Sequence, residues 1–414
     1  MMVEYPLPEL LAPAGSMDQL KTALHFGADA VYGGMTRYGL RAFAGNFTEE
    51  TLPEAVRLCH EKGARMYLTL NIFPFDEQMD GLVNTARFAA KCGVDAVIVS
   101  DLGAICALRE EVPELDIHVS TQASTVNSRA VQMYGKLGCR RVILAREMSL
   151  EQMRVMRERI DPGMELETFV HGAACVAWSG RCLLSAVMTE RSGNQGACAQ
   201  SCRWKYHVVE EKRPGEYMPV FEDNQGTYVF SAHDLNLMPY LDALWSAGIS
   251  SLKIEGRMKT EYYTATVTLA YRQALDLMSK DPEAYRAAVP QFLEALACAS
   301  HRVSDTGFLL GKPKEPGGAE GFHQSREYIA RCLSDTKAGD WTPFLLKNRF
   351  CKGDKLELMT PGGIIPLEAP SMRREKTGEI LDTFGVGGEV VSLQLPVDAH
   401  AWDMLRGPVR NHRA

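Results

Sequence analysis

The chain has 414 residues, of which 46% are hydrophobic and 23% are charged, as is usual for a globular protein. No apolar stretch is long enough for a membrane helix, and a formal charge of −7 excludes a uniformly basic nucleic-acid binder, although a local basic face stays open. The length predicts two or three domains, or one large barrel with an appendage.

From the start to about residue 280, short apolar or β-branched runs alternate with amphipathic helical patterns. Eight strands are predicted, at Glu9–Pro13, Asp29–Tyr32, Arg65–Asn71, Asp95–Ser100, Asp116–Thr121, Arg140–Ala145, Met164–His171 and Ser250–Glu255. Helices are predicted between and after them, at Met17–Phe26, Glu49–Lys62, Glu77–Cys92, Asn127–Leu137, Leu150–Arg159, Leu235–Ala247 and Glu261–Met278. Glycines stand directly before several strands, which is typical of helix-to-strand loops.

This alternation predicts a closed, parallel, TIM-like (β/α)8 barrel. An open doubly wound sheet is the alternative, but no Gly-x-Gly-x-x-Gly sequence lies at a strand–helix turn. A cysteine-rich segment at 167–210 and a predicted hairpin, around Tyr206–Glu210 and Tyr228–Phe230, interrupt the pattern before the eighth strand. Because this insertion leaves the carboxyl end of a strand, we expect it over the barrel mouth, where barrel active sites lie.

After about residue 300 the pattern changes to short strand-like runs separated by Gly and Pro turns. Strands are predicted at Glu327–Leu333, Trp341–Leu346, Asp354–Thr360 and Val390–Leu395. We therefore divide the chain into a barrel domain at 1–300 and a small all-β domain, a predicted barrel, at 301–414. The β domain carries a basic series with Phe344 and Phe350 interleaved, formed by Lys347, Arg349, Lys352, Lys355, Arg373, Arg374 and Lys376. This series suits RNA binding, or it is simply a solvated face.

Four cysteines, Cys175, Cys182, Cys198 and Cys202, follow one another with the spacing Cys-x6-Cys-x15-Cys-x3-Cys. Thiolates bind soft metals, so the segment predicts an iron–sulfur cluster or zinc. The absence of Cys-x2-Cys pairs and the nearby Arg181, Arg191 and Arg203 favour iron–sulfur, since arginines stabilise an anionic cluster. Free buried thiols and disulfides are the alternatives. An odd total of 11 cysteines and an opening without an export signal predict a reducing, cytoplasmic location.

Polar residues recur where the predicted strands end, a position that favours a catalytic role in a barrel. The candidate catalytic residues are Arg41, Arg146, His171, Lys253, Glu255 and Arg257. Other polar residues at strand ends are Asn71, Asp101, Thr121, Gln122 and Glu147. Alternation places Lys253, Glu255 and Arg257 on one face of their strand, although barrel interiors are normally apolar. Arginines bind carboxylates bidentately, so the set suits a small anionic substrate, although each residue alone could be an ion pair or a cap.

The cysteine segment resembles the signature of the collagenase-like peptidases, the unassigned-type peptidase family 32. The matching positions are Glu167-Thr-Phe169, Gly172-Ala-Ala-Cys175, Gly180-Arg-Cys182, Leu184 and Ser185, with Ala174 where a larger aliphatic residue is usual. Further matches are Glu-Leu-Leu-Ala-Pro-Ala-Gly, Gly-Thr-Tyr-Val-Phe-Ser-Ala-His-Asp-Leu and Ser-Leu-Lys-Ile-Glu-Gly-Arg-Met-Lys. The resemblance covers nearly the full chain.

Within this family, Asn-Gln-Gly-x-Cys-x-x-x-Cys-Arg-Trp and Lys-Ile-Glu-Gly-Arg-x-Lys-x-x-Tyr-Tyr look most like the tRNA hydroxylation protein P branch. This resemblance implies a [4Fe–4S] cluster on the four cysteines and prephenate-dependent 5-hydroxylation of the wobble uridine in tRNA. It also suggests a homo-oligomer or a hetero-oligomer with a paralogue.

Two other functions stay open: a peptidase and a non-catalytic iron–sulfur binding protein. The chain has neither His-Glu-x-x-His nor Gly-x-Ser-x-Gly, which argues against common protease types. A Cys175–His171 pair could still be drawn as a protease site, because catalytic pairs are recognised by geometry. A thiol that ligates a cluster, however, cannot also serve as a nucleophile.

Overall fold

The computed structural model describes residues 5–41, 44–174, 179, 182, 184–201, 221–223, 226–228, 233–311 and 322–410. The first unit contains the strands β1 (Glu9–Pro13), β2 (Ala30–Gly34), β3 (Arg65–Leu70), β4 (Ala96–Val99), β5 (Asp116–Val119), β6 (Arg141–Ile143), β7 (Glu165–Ala173), β8 (Phe221–Asp223), β9 (Gly226–Tyr228), β10 (Asp234–Asn236), β11 (Ser251–Ile254) and β12 (Ser304–Asp305). The helices are α1 (Met17–His25), α2 (Leu52–Glu61), α3 (Asp76–Lys91), α4 (Leu102–Glu111), α5 (Ser128–Lys136), α6 (Leu150–Glu158), α7 (Leu184–Thr189), α8 (Leu241–Ser246), α9 (Glu261–Lys280) and α10 (Pro282–Leu296).

Strands β1 to β7 and β11 form one closed parallel barrel, because β11 pairs with both β1 and β7. The predicted TIM-like (β/α)8 barrel is therefore confirmed. Its strands are buried on both faces, as the short continuous apolar runs of the sequence require. Among the described residues, no helix combines the length and the apolar character needed to cross a membrane.

Three helices of the barrel unit, α4, α7 and α10, were not predicted. Helix α4 is capped by Asp101, whose Oδ1 accepts a hydrogen bond from the Ala104 N–H at 2.9 Å. Helix α10 begins with Pro282 and is capped by Asp281, whose Oδ1 accepts from the N–H of both Glu283 and Ala284 at 3.0 Å. Proline tolerates the first helical position because no N–H bond is needed there, so Pro282 is compatible with a helix.

Near the barrel mouth, β10 pairs antiparallel with the end of β7, and β12 pairs with β10. Residues 304–311 thus belong to the barrel unit, a few residues beyond the predicted division at 300. Strands β8 and β9 form a hairpin in this region. The predicted pairing of Tyr206–Glu210 with Tyr228–Phe230 stays a prediction, because Tyr206–Glu210 lies outside the described residues.

The second unit consists of antiparallel strands, which confirms the predicted all-β domain. Its strands are β13 (Arg326–Cys332), β14 (Trp341–Leu346), β15 (Phe350–Cys351), β16 (Lys355–Thr360), β17 (Gly363–Glu368), β18 (Met372–Arg374), β19 (Ile380–Leu381), β20 (Thr383–Phe384), β21 (Val390–Gln394) and β22 (Met404–Pro408). Eight of them form one sheet in the order β17-β16-β22-β13-β14-β21-β18-β19. The unit has its own core and contacts the barrel through Phe26, Tyr262, Met359 and Met404.

Candidate active site at the barrel mouth

Glu255, which directly follows β11, lies at the centre of a charged cluster at the barrel mouth. Arg41 Nη2 lies 3.4 Å from Glu255 Oε1, and the Tyr32 hydroxyl donates a hydrogen bond to Glu255 Oε2 at 3.3 Å. The charges of Arg146 and Arg257 also act on this carboxylate. The structure therefore brings together four predicted candidates from three different strand ends, namely Arg41, Arg146, Glu255 and Arg257.

Electrostatics keep the Glu255 carboxylate ionised. Burial raises the pKa of Glu255, but the positive charges of Arg41, Arg146 and Arg257 outweigh burial and hold the pKa below its usual value. The Glu255 charge in turn raises the pKa of Arg41. The mouth thus presents three guanidinium groups around one carboxylate.

Aromatic rings separate this cluster from a second charged layer deeper in the barrel. The Arg146 guanidinium lies 3.8 Å from the centre of the Phe169 ring, and its Nη1 donates to the Ala173 carbonyl at 2.7 Å. Lys253 Nζ lies 5.6 Å from the Phe169 ring centre and 4.2 Å from that of Tyr32. The Lys253 ammonium therefore lies next to the rings that line the mouth, and cation–π contacts fix it there.

Lys253 belongs to a chain of buried ion pairs that fills the barrel interior. Its Nζ lies 2.9 Å from Glu167 Oε1, and Arg141 Nη1 lies 3.1 Å from Glu167 Oε2 and 2.6 Å from Glu9 Oε1. Lys253, Glu167 and Arg141 are at most 4% exposed. Burial raises the pKa of Glu167, but the charges of Lys253 and Arg141 overcome that effect and lower it. The interior is thus polar, as the inward alternation of Lys253 and Glu255 indicated.

The cysteine segment lies across the mouth. An added Cβ on Gly196 would lie 2.5 Å from the Gly39 carbonyl oxygen in the loop after β2, so the two backbones touch. The Phe73 N–H, after β3, donates to the Asn194 carbonyl at 3.3 Å. On the opposite side, the Ser179 N–H donates to Glu147 Oε1, after β6, at 2.8 Å. These contacts agree with the expected position of the insertion over the barrel mouth.

Two of the four clustered cysteines, Cys182 and Cys198, are described, and Cys175 and Cys202 lie outside the described residues. The side chain of Ser185 joins the neighbourhoods of both described cysteines. Its Oγ accepts from the Ala199 N–H at 2.9 Å and donates to the Arg191 carbonyl at 2.7 Å. The chain next to Cys198 is thereby fixed to α7, which begins two residues after Cys182.

The surroundings of Cys198 suit a thiolate ligand. The Gln200 N–H donates to Cys198 Sγ at 3.4 Å, and the thiol is close enough to Arg41 for the two side chains to interact electrostatically. An N–H donor and a guanidinium group are suitable neighbours for a cysteine that binds a metal through its sulfur. The described residues contain no group of three or more His, Cys, Asp or Glu side chains arranged for a metal, and this search does not include Cys175 or Cys202. Cys182 and Cys198 are free thiols in the segment that crosses the mouth, and they are donors of the type that a thiolate-bound cluster requires.

His171 does not join the cluster around Glu255. The register between β7 and β11 shifts between Lys253 and Ile254, so that Ile254 pairs with His171. The imidazole instead contacts Tyr271 and Tyr263 of α9, with ring centres 5.6 and 6.1 Å away. A register irregularity of this kind turns a side chain to the other face of a sheet. His171 was a candidate because it ends a predicted strand, and this irregularity explains why its side chain does not face the mouth. Its proposed pairing with Cys175 in a protease site lies partly outside the described residues.

The buried position of His171 makes the stability of the protein depend on pH. Burial lowers the pKa of His171 from 6.5 to about 4, so the unfolded state binds the proton more readily. Stability is expected to be complete above pH 6.5 and to fall as pH decreases from 6.5 towards 4, by about 3 kcal/mol in total from this group. Urea unfolding between pH 4 and 7 should show a weaker pH dependence in His171→Gln than in the wild type. His60→Gln, at an exposed site, is the control, and an unchanged slope in His171→Gln would contradict the assignment.

The other polar residues at strand ends have structural contacts. Asn71 Oδ1 accepts from the Leu40 N–H at 3.2 Å, and Thr121 Oγ1 donates to the Leu144 carbonyl at 2.9 Å. Conversely, the site includes side chains that the sequence did not single out for a role: Tyr32, Asn46, Thr69, Glu167, Arg141 and Glu9. Two glutamates, Glu9 and Glu167, lie within otherwise apolar strands, and this pattern could have indicated a polar site inside the barrel. An entirely apolar barrel interior would not contain charged side chains.

The two phenylalanines interleaved in the basic series of the β domain are not available for stacking on bases. Phe344 and Phe350 are fully buried in the core of the domain, so the expectation that they stack on bases is wrong. Four of the basic residues pair with carboxylates, namely Lys347 with Glu261, Lys352 with Asp382, Arg373 with Glu375 and Arg374 with Glu389. The side chains of a strand alternate between the two faces of a sheet, and both phenylalanines lie on the face that forms the core of the β domain.

Known proteins resemble this chain over nearly its whole length. It is 36% identical over 433 residues to the tRNA hydroxylation protein P of Escherichia coli (strain K12), covering 94% of each protein. It is 39% identical over 357 residues to the tRNA hydroxylation protein P1 of Bacillus subtilis (strain 168), covering 86% of this chain and 84% of that protein. A protein named collagenase from Porphyromonas gingivalis is 34% identical over 317 residues, covering 73% and 74%.

Two family models match the two structural units. The model of peptidase family U32 matches residues 15–318, and that of the peptidase family U32 C-terminal domain matches residues 324–406. Both the barrel with its cysteine segment and the all-β unit are thus accounted for, and the chain belongs to peptidase family U32.

Proposed function

We propose that this protein is an iron–sulfur-dependent tRNA hydroxylase that uses prephenate and modifies the wobble uridine at carbon 5. The observation that carries the proposal is the position of the cysteine segment across the arginine-rich barrel mouth, where Gly196 packs against Gly39 and the Asn194 carbonyl accepts a hydrogen bond from the Phe73 N–H. Relatives of high coverage that are named tRNA hydroxylation proteins support RNA as the substrate.

Cys175, Cys182, Cys198 and Cys202 would hold a [4Fe–4S] cluster, because four thiolates suit its soft iron ions. When bound, such a cluster supplies electron transfer or, with a labile ligand, a binding site for a hydroxyl group. The protein residues have separate roles. Ser185 keeps the chain on either side of α7 together, and the Gln200 N–H donates a hydrogen bond to the sulfur of Cys198.

The charges at the mouth fit a small dianion such as prephenate. Arg41, Arg146 and Arg257 all act electrostatically on one carboxylate, Glu255, so several guanidinium groups lie together at the mouth. Guanidinium groups pair with carboxylates in a planar, bidentate geometry, and prephenate carries two carboxylates. Glu255, kept ionised by these arginines, is available to accept a proton from a bound substrate.

A peptidase is the second candidate, because one relative is named collagenase. The described site offers little for that chemistry. The His171 imidazole faces Tyr263 and Tyr271, away from the mouth, and its low pKa keeps it neutral. Cys175, the thiol that would pair with it, is one of the proposed cluster ligands.

Nucleoside mass spectrometry of tRNA from a deletion strain tests the proposal. Wobble modifications derived from 5-hydroxyuridine should disappear in the deletion strain and return fully with the intact chain. Complementation with Cys182→Ala should give no recovery, because a missing thiolate ligand removes or degrades the cluster. Cys59→Ala is the matched control, because this buried thiol lies on α2 within the barrel core.

Unchanged tRNA nucleosides in the deletion strain would refute the hydroxylase proposal. If the purified protein also cleaved gelatin or casein after iron chelation, the peptidase would be the better description. If neither activity were found in cluster-loaded protein, the chain would be described as an iron–sulfur binding protein.

A further inference from the structure

Arg257 differs from every other buried arginine among the described residues. Six arginines are less than 9% exposed. Four of them pair with carboxylates: Arg141 with Glu167, Arg302 with Asp234, Arg331 with Glu261 and Arg406 with Glu357. Arg157 donates to the main-chain carbonyls of Met164 and Asp161. Arg257 alone is held by neutral side chains.

The guanidinium of Arg257 is fixed in place by two side chains. Nη1 donates to Thr69 Oγ1 at 3.0 Å, and Nη2 donates to Asn46 Oδ1 at 2.6 Å. Its Nε has no hydrogen-bond partner within the part of the chain that the structure describes, and the residue is only 4% exposed. A buried donor without a partner is destabilising, so the fold maintains this group at a cost in stability.

The glycine at residue 34 allows the Arg257 guanidinium to lie directly against the backbone of β2. A Cβ added to Gly34 would lie 2.5 Å from Arg257 Nη2 and 2.8 Å from Thr69 Oγ1. Any side chain at residue 34 would therefore displace the guanidinium. Burial lowers the pKa of Arg257 to about 10, which still leaves it protonated at neutral pH. The group is thus a fixed positive charge whose Nε donor is unpaired among the described residues.

We propose that Arg257, set by Asn46 and Thr69, is the anchor for one carboxylate of a small anionic substrate, which bonds to Nε and Nη2. The inference rests on the function proposed above, and it assigns the atoms that bind the co-substrate. A carboxylate matches this fork bidentately and gives the unpaired Nε an acceptor. An RNA phosphate carries the same anionic chemistry, but a residue that is 4% exposed is better suited to a small molecule that enters the barrel.

Two substitutions test whether Arg257 anchors the carboxylate: one removes the guanidinium fork, and the other occupies it with a carboxylate from the protein. Arg257→Lys keeps the charge but removes the fork, and should weaken binding at least tenfold. Asn46→Asp places a carboxylate on Nη2 and should also weaken binding at least tenfold. It should leave the melting temperature within a few degrees, because the new ion pair offsets the hydrogen bond that Asn46 Nδ2 makes to the Arg41 carbonyl at 3.0 Å.

Binding is measured by calorimetry on cluster-loaded, anaerobic protein, with prephenate and malonate as carboxylate probes and an anticodon stem-loop RNA in a separate titration. Asn84→Asp is the matched control, since Asn84 Oδ1 also accepts from an arginine, Arg87, at 2.8 Å, but on an exposed helix face. Prephenate affinity should fall in Arg257→Lys and Asn46→Asp and stay at the wild-type value in Asn84→Asp.

Three results would overturn the anchor. The first is that Asn46→Asp and the wild type bind prephenate with equal affinity. The second is that the wild-type protein binds neither prephenate nor malonate. The third is that the variants lose RNA binding but still bind prephenate. The function proposed above fails separately. If the variants lose prephenate binding but the deletion strain keeps its tRNA nucleosides, the anchor stands and the hydroxylase does not.

Discussion

Replacing Cys198 by Ala is expected to abolish stable cluster binding and all hydroxylation activity. Thiolates supply most of the affinity for an iron–sulfur cluster, and Cys198 lies in the segment that crosses the charged mouth. Anaerobically purified wild-type protein should be brown and should contain iron and sulfide near the ratio of one [4Fe–4S] cluster. The Cys198→Ala protein should lose the visible absorbance and most of the iron.

The control for this experiment is Cys139→Ala, because Cys139 is buried on the apolar side of the α5–β6 connection and should not affect iron content. Far-UV circular dichroism of each variant should match the wild type, which separates cluster loss from unfolding. Stoichiometric zinc without iron in the reconstituted wild type would show that the cysteines form a zinc site instead.

Replacing Glu167 by Gln is expected to destabilise the barrel by about 3–5 kcal/mol, because it leaves Lys253 and Arg141 without their shared buried counter-charge. The double variant Glu167→Leu with Lys253→Met should recover much of this loss, since a matched apolar pair needs no charge compensation. Free energies of unfolding from urea titrations at pH 7 give the comparison.

Glu54→Gln is the control, because its exposed ion pair with Arg57 should contribute less than about 1 kcal/mol. The destabilisation should shrink as pH falls below the usual carboxyl range, since the pKa of Glu167 is lowered by its cationic neighbours and the pair is lost on protonation. If the double variant were no more stable than Glu167→Gln, packing rather than charge compensation would determine the stability of this buried layer.

A loss of activity in Lys253→Ala could result from the loss of stability alone. Substitution of Arg257 is therefore the clearer test of the residues at the mouth.

The architecture could be predicted from the sequence because it depends on local patterns. Eight apolar runs between amphipathic helices specify a parallel barrel, since only strands covered by helices on the outside are apolar along their whole length. The change to short, turn-rich runs after residue 300 likewise located the second unit. The spacing of four cysteines marked the insertion over the mouth, because so many thiols in one segment are poorly explained by packing.

Only the tertiary structure decided which strand-end residues meet. Alternation along one strand predicts a face, but the pairing with the next strand sets the register, and the shift at Ile254 directs His171 to α9 instead of the mouth. The partners of Arg257 come from separate segments, Asn46 after β2 and Thr69 in β3, so no spacing in the sequence links them. Residue identity therefore determined the barrel and its cysteine segment, whereas contacts between distant strands determined the geometry of the site.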